Sequence, residues 1–252
     1  MNLTGMKAVV IGGTSGIGRA LALGLARAGA DVAASSRSRE MVDAIADEIE
    51  SLGVASLRVA SDVCDRDSLV ALRDRTLASF GTVDILINSA GITRRVPTVE
   101  MDEELWNQIF NVNLTGTLRA CQIFGEEMLK RRFGRIINIA SLSSFVAFQE
   151  VAAYGASKAA VASLTRSLAV EWSRLGVTVN AIAPGIFPTL LNSKIIDSQR
   201  GQELLLRTPM GRFGETSELV TTAVYLASRE TSFTTGQIIT VDGGMMASGV
   251  NQ

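Results

Sequence analysis

Tyr154-Gly155-Ala156-Ser157-Lys158 sets a phenol and an ammonium four residues apart, a spacing that on a helix puts both on one face within reach of each other. Free tyrosine titrates near about 10 and is a poor base at neutral pH, but a nearby ammonium favours the phenolate and brings it towards working range. Tyr154 is thus a candidate proton-transfer group, with Lys158 as the charge that tunes it. Ser141 stands thirteen residues upstream, just past the apolar run Ile136-Ile137-Asn138-Ile139-Ala140, which predicts a buried strand. A strand-end hydroxyl can meet the helix face there. Tyr-x-x-x-Lys alone also describes a tyrosine packed on a lysine stem, so the rest of the chain decides. Histidine is absent and Tyr225 is the one other tyrosine. Ser-His-Asp hydrolases, Cys-His proteases and histidine-ligated zinc enzymes are therefore excluded. Tyr225 lies in Thr222-Ala223-Val224-Tyr225-Leu226-Ala227, a helix pattern that fits core packing.

A second set of residues stands at the amino end. Met6 to Ile11 predicts a buried strand that runs into Gly12-Gly13-Thr14-Ser15-Gly16-Ile17-Gly18, with a helix pattern directly after. Glycines 12, 16 and 18 suit a tight strand-to-helix turn whose backbone N–H groups approach a pyrophosphate at a helix N-terminus. The spacing is G-x-x-x-G-x-G rather than the commoner G-x-G-x-x-G. A plain glycine turn is the alternative.

Positioning these groups requires a regular frame. Strand patterns fall near 6–11, 31–35, 55–60, 83–87, 134–140, 177–183 and 237–241, with helix patterns between them. That alternation predicts an α/β, Rossmann-like, doubly wound sheet of about seven parallel strands with helices on both faces. Unbroken alternation across residues 1–252, with 47% hydrophobic residues, predicts a single dinucleotide-binding and catalytic domain. Residues 186–209 break the rhythm after a strand end, where either a substrate lid or a surface helical hairpin can sit. With 24 basic and 25 acidic residues the net charge is −1, so no electrostatic excess recruits nucleic acid or a membrane, and a small soluble ligand is the expected partner. No apolar stretch reaches membrane-spanning length and no signal-like segment opens the chain, which predicts a cytoplasmic protein. Cys64 and Cys121 lack a partner motif and are expected to be reduced. No metal-ligand cluster is visible.

Taken together, the chain resembles the short-chain dehydrogenase/reductase family in its form of about 250 residues. Besides the glycine turn and Tyr154/Lys158, the resemblance rests on Asp62-Val63, Asn88-Ser89-Ala90-Gly91, Asn111-Val112-Asn113, Pro184-Gly185 with Thr189, and Val241-Asp242-Gly243-Gly244, all in family order. Two positions depart: Ile11 replaces the usual threonine before the first glycine, and Ser89 the second asparagine of Asn-Asn-Ala-Gly. The resemblance implies a nicotinamide-dependent oxidoreductase that interconverts a secondary alcohol and a ketone. In it Tyr154 moves the proton, Ser141 holds the substrate oxygen, Lys158 tunes Tyr154 and holds the ribose, and Asn113 anchors a water leading from Lys158. Its implied cofactor contacts are Gly12, Thr14, Ser15, Gly16, Ile17 and Gly18, then Asp62 and Val63 at the adenine, and Asn88, Ala90 and Gly91 at the ribose. Pro184, Gly185, Ile186 and Thr189 would hold the carboxamide. Homotetramers are common in the family, and the helix pattern from Ala152 to Leu175 could offer a subunit face or pack on the sheet.

At the end of the second strand a carboxylate would bind the ribose 2′-hydroxyl and repel a 2′-phosphate. Here the chain reads Ala34-Ser35-Ser36-Arg37-Ser38-Arg39. Ser36 and Arg37 can meet a phosphate, so NADP(H) is expected over NAD(H), with NAD(H) still admitted because Ser15 stands where many NADP-preferring relatives carry a base. Gly91 to Arg95, Ile136 to Ser141 with Phe145, and Thr208 to Gly214 look most like gluconate 5-dehydrogenase and deoxygluconate dehydrogenase members. Arg94 or Arg95 could bind a substrate carboxylate, or serve as surface or interface charge. Gln149 and Glu150 could bind hydroxyls. Phe145, Val146, Phe148, Phe187, Leu190 and Leu191 could instead make the pocket apolar, which suits a 3-oxoacyl-carrier-protein reductase or a broad carbonyl reductase. A non-catalytic nicotinamide-binding regulator is the remaining alternative.

Overall fold

The computed structural model describes residues 1–189 and 198–249. Within them one sheet carries β1 (Lys7–Ile11), β2 (Asp31–Ser35), β3 (Ile85–Asn88), β4 (Gly134–Ile139), β5 (Val177–Pro184) and β6 (Ile238–Val241). All its pairings are parallel, in the spatial order β2-β1-β3-β4-β5-β6. Strands β3, β4 and β5 are buried at every residue, which is why they read as near-continuous apolar runs rather than as alternations. The chain steps from β1 out to β2 and then returns past β1 to β3. At that reversal the βα crossovers diverge, leaving a crevice at the carboxyl ends of β1 and β3.

The sheet is covered on both sides, because neighbouring residues of a strand face opposite ways. Val10, Ile87 and Ile137 meet α1 (Gly16–Arg27), α2 (Arg39–Ser51) and a late helix, α8 (Glu218–Ala227). Val9, Leu86 and Ile136 meet α3 (Arg66–Phe80), α5 (Gly116–Arg131) and α6 (Ala152–Trp172). Between these stand α4 (Glu103–Phe110), which runs through a π-helical turn, Asn111–Thr115, into α5, and α7 (Gln199–Leu206). No described helix is long and apolar enough to cross a membrane.

The described sheet has six strands, where the sequence pattern suggested about seven. The missing one is 55–60. That segment lies beside β2 but joins its ladder at a single bridge, Val32 to Ser56, with Val32 N donating to Ala55 O at 3.0 Å, Ser56 Oγ to Val32 O at 2.8 Å and Ala55 N to Asp31 Oδ1 at 2.8 Å. Further along, the Ser35 hydroxyl donates to Val59 O at 2.6 Å, so a side chain takes the acceptor that a ladder bond would have used. The segment 186–209 holds α7 near its end, but 190–197, with Leu190 and Leu191, lies outside the described residues.

Candidate active site

β4 ends at Ile139, and Ser141 then opens a 3₁₀ turn, Leu142–Ser144, by accepting from Ser143 N at 3.1 Å. The same turn is fastened to α6, since the Ser144 hydroxyl donates to Lys158 O at 2.8 Å. Tyr154 and Lys158 sit in the first turns of α6, so the strand end and the helix face meet as their spacing suggests. The Tyr154 phenol and the Ser141 hydroxyl come close enough for Ser141 to influence the phenol's ionisation. Lys158 is buried, its Nζ donates to Ile139 O at 2.7 Å and lies 5.8 Å from the centre of the Tyr154 ring.

Burial dominates the charge balance of this cluster. It pushes the Tyr154 phenol above its ordinary value, while Ser141 pulls it back in part. It pushes the Lys158 ammonium down to about 8. The sequence suggested a phenol lowered by Lys158. The structure reverses that for the free protein, because desolvation penalises the charged form of both groups.

Asn113 joins the cluster from the π-helical turn. An inserted residue of this kind re-aims a helix locally and is often found at functional sites. The Asn113 side chain is fully buried and committed: Oδ1 accepts from Ile92 N at 2.8 Å, and Nδ2 donates to Ile92 O at 2.9 Å and to Ser157 Oγ at 3.0 Å. Ser157 was not singled out by sequence. It is fully buried, donates to Tyr154 O at 2.7 Å, and so ties Asn113 to α6. The available signal was its place between Tyr154 and Lys158 on a helix. A Cβ on Gly91 would lie 3.4 Å from Asn113 Oδ1 and 3.5 Å from Lys158 Nζ, which places the turn after β3 directly over the cluster.

The glycine turn occupies the crevice between β1 and β3. A Cβ on Gly12 would come within 2.6 Å of Ala90 N, and one on Gly18 within 2.0 Å of Gly12 O. Only glycine lets the turn close on itself and on the β3 end while α1 starts at Gly16. Thr14 Oγ1 donates to Ser36 Oγ at 2.9 Å, joining this turn to the end of β2. Ser15 is exposed at the helix start, Ile17 is half-buried, and a Cβ on Gly16 would meet Thr189 Cγ2 at 3.3 Å. Thr189, which follows the β5 end after Gly185 and Ile186, thus lies against the turn at Gly16. Gly185 packs on Asp242, whose carboxylate accepts from Gly244 N at 2.9 Å and Met246 N at 2.7 Å.

Beyond β2 the two arginines differ. Arg39 is held by Asp43 at 2.9 Å, whereas Arg37 is exposed and makes no hydrogen bond or ion pair among the described residues. Asp62 shapes its own turn, accepting from Cys64 N at 2.8 Å, with Val63 buried against Gly116. Asn88 does not face the crevice with its amide. It is buried, and its Nδ2 donates to Asn138 Oδ1 at 2.8 Å inside the sheet, so the side chain braces β3 against β4.

A cleft of about 1010 Å³ has walls that include Arg95, Phe148, Gln149, Arg200 and Arg207. Ser141, Tyr154 and Lys158 are not among its walls. Gln149 O accepts from Arg200 Nη2 at 3.1 Å. Glu150 is paired with Arg95, while Arg94 is exposed without an ion pair among the described residues. Phe145 and Val146 are exposed, but Phe187 is buried in the core against Gly214, so it does not line this cleft.

Known proteins are similar to this chain over nearly its whole length. The family profile described as Enoyl-(Acyl carrier protein) reductase matches residues 12–246. The chain is 41% identical to the 2-dehydro-3-deoxy-D-gluconate 5-dehydrogenase of Bacillus subtilis, over 98% of this chain and 96% of that protein. It is 38% identical to the gluconate 5-dehydrogenase of Gluconobacter oxydans, over 98% and 97%. It is 37% identical to a 3-oxoacyl-acyl-carrier-protein reductase of Staphylococcus aureus, over 95% and 97%. Among solved structures, a gluconate 5-dehydrogenase from Burkholderia cenocepacia, in complex with NADP and tartrate, superposes with a TM-score of 0.95 at 37% identity, covering 98% of this chain and 97% of that one. A short-chain type dehydrogenase/reductase from Mycobacterium ulcerans also superposes with a TM-score of 0.95, at 30% identity, covering 100% and 94%.

Proposed function

The chain belongs to the short-chain dehydrogenase/reductase family and is an oxidoreductase acting on CH–OH groups, and from that premise we propose that it interconverts a secondary alcohol and a ketone on a hydroxylated acid of the gluconate kind, with NADP(H) preferred over NAD(H). The observation that carries the proposal is the convergence of Ser141, Tyr154 and Lys158 beside the Gly12–Gly18 turn. The turn fits a pyrophosphate, because its glycines leave backbone N–H groups at the start of α1 without side chains over them. Ser36 and the unpaired Arg37 suit a 2′-phosphate. When bound, the nicotinamide supplies or accepts the hydride.

The protein's own part is proton movement and orientation. Tyr154 Oη gives a proton to the substrate oxygen in reduction and takes it back in oxidation. Ser141 Oγ holds that oxygen and stabilises the charge that develops on it. Lys158 Nζ presents an ammonium beside the phenol below about pH 8, and Asn113 with Ser157 fixes the helix turn that carries both. The proposal takes residues 1–252 as one catalytic domain. It also takes the protein as a cytoplasmic homotetramer; the fully exposed Phe233 and Val170, 79% exposed, support a further apolar contact.

Turnover should be measured by nicotinamide absorbance with NADP⁺ and NAD⁺ separately, on D-gluconate, 2-deoxygluconate, polyols and neutral alcohols, with Tyr154→Phe as control. Acid turnover with NADP⁺, lost in the variant, is the expected result. A 3-oxoacyl-carrier-protein reductase is the second candidate, favoured by the similarity to such a reductase at nearly the same identity. Arg94→Ala and Arg95→Ala separate the two: both should weaken acid turnover and spare neutral ketones if a carboxylate is recognised there.

A further inference from the structure

Arg95 lines the outer cleft, and its guanidinium is already engaged at Nε. Its Nε donates to Glu150 Oε2, with the arginine side chain 57% and the glutamate side chain 25% exposed. Glu150 holds this position in an unusual backbone conformation, at φ 66, one of two described residues other than glycine with positive φ. An L-residue with a long side chain is disfavoured there, and glycine would sit without strain. Two contacts keep it in place: its carboxylate on Arg95, and its carbonyl, which accepts from Val96 N at 2.8 Å. The adjoining Gln149 carbonyl is held by Arg200 from α7. Three segments of the cleft mouth therefore meet at Gln149 and Glu150, four residues before Tyr154.

We propose that Glu150 is a specificity-determining residue, an internal carboxylate that occupies Arg95 in the free protein and must yield it to the carboxylate of an incoming substrate. The proposal rests on the sugar-acid assignment above. A guanidinium donates to a carboxylate in bidentate fashion through a fork of two N–H groups, and while Glu150 holds Nε a fork that includes Nε is closed to a substrate acid. The competitor is weakly held, because a half-exposed ion pair is worth little in water. Neutral compounds gain nothing by opening the pair. Acids do, and that difference is how the pair would sort ligands.

The test is calorimetric titration of tartrate, a small hydroxy-dicarboxylate, into the NADP⁺-loaded protein, which needs no turnover. Glu150→Gln is expected to tighten tartrate binding about fivefold, the scale of a partly exposed pair. Glu150→Gly, which also removes the backbone strain, should tighten it at least as much and guards against a misfolded Gln variant. In an Arg95→Gln background, Glu150→Gln should change nothing. Unchanged or weaker binding in Glu150→Gln overturns the proposal; so does tightening confined to Glu150→Gly, or tightening that persists without Arg95. Failure of the sugar-acid assignment would appear separately, as turnover of neutral alcohols alone by the unaltered protein.

Discussion

Lys158→Met removes a buried ammonium and keeps a side chain of similar length, and its effect on stability should depend on pH in a way fixed by burial. The ammonium titrates at about 8 in the folded protein and at about 10.4 in an unfolded chain. Between those values the unfolded chain binds more protons than the folded one, so the unaltered protein gains stability as pH rises. Below about pH 7 both states are protonated and burial costs about 3 kcal/mol; near pH 9.5 the remaining cost is about 1.3 kcal/mol. The unaltered protein should therefore gain about 2 kcal/mol on the variant between about pH 7 and 9.5. The lost bond to Ile139 O shifts the variant by a constant amount and does not change the slope. Urea unfolding of both proteins at several pH values, with free energies extrapolated to water, reads the difference directly. Parallel pH profiles would mean that Lys158 is solvated or compensated in the fold, and the charge balance described for the cluster would be wrong.

Arg37→Ala should raise the KM for NADP(H) by about tenfold or more, the loss of a charge-assisted phosphate contact, and leave the KM for NAD(H) within about twofold; steady-state kinetics with both cofactors decides, and equal losses would remove Arg37 from the 2′-phosphate. Ser157→Ala takes one acceptor from buried Asn113 Nδ2, so about 1–2 kcal/mol of stability should go, with kcat falling more than KM changes; denaturation and kinetics would show neither if the hydroxyl were idle. Because burial holds the Tyr154 phenol protonated through neutral pH, kcat/KM for alcohol oxidation should climb across about pH 6 to 9 while that for ketone reduction stays level or falls. Profiles of the opposite slope would assign proton transfer to another group.

Much of this frame was legible because the relevant signals are local. Apolar runs such as Ile136–Ile139 announce strands that are buried on both faces, and the glycines at 12, 16 and 18 announce a turn that admits no Cβ. Where the sequence misled, a side chain had intervened at long range. Residues 55–60 have a strand pattern, yet the Ser35 hydroxyl takes Val59 O and the ladder stops. Asn88 stands in a cofactor-like motif, yet its amide pairs with Asn138 on the neighbouring strand, a partner fifty residues away. Phe187 follows a strand end and looked like pocket lining, yet Gly214 leaves a space that the ring fills from the core side. Arg95 and Glu150 are fifty-five residues apart, and no local pattern links them. Spacing within an element is written in the chain; pairing between elements depends on the tertiary arrangement.

The same distinction governs the chemistry of the cluster. A tyrosine and a lysine four apart suggest an ammonium that lowers a phenol, which holds where both face water of high dielectric and only their mutual distance matters. Inside the fold each group first loses its hydration, and that cost acts on the phenolate and on the ammonium alike. The free protein accordingly keeps Tyr154 as a neutral phenol and weakens the hold of Lys158 on its proton. A neutral phenol is the form that donates a proton in reduction. Oxidation needs the phenolate, and therefore either higher pH or further stabilisation of negative charge at Tyr154 Oη when substrate and cofactor are in place. How readily the phenol ionises thus depends on how deeply α6 sets these two side chains against β4, a quantity that the four-residue spacing does not contain.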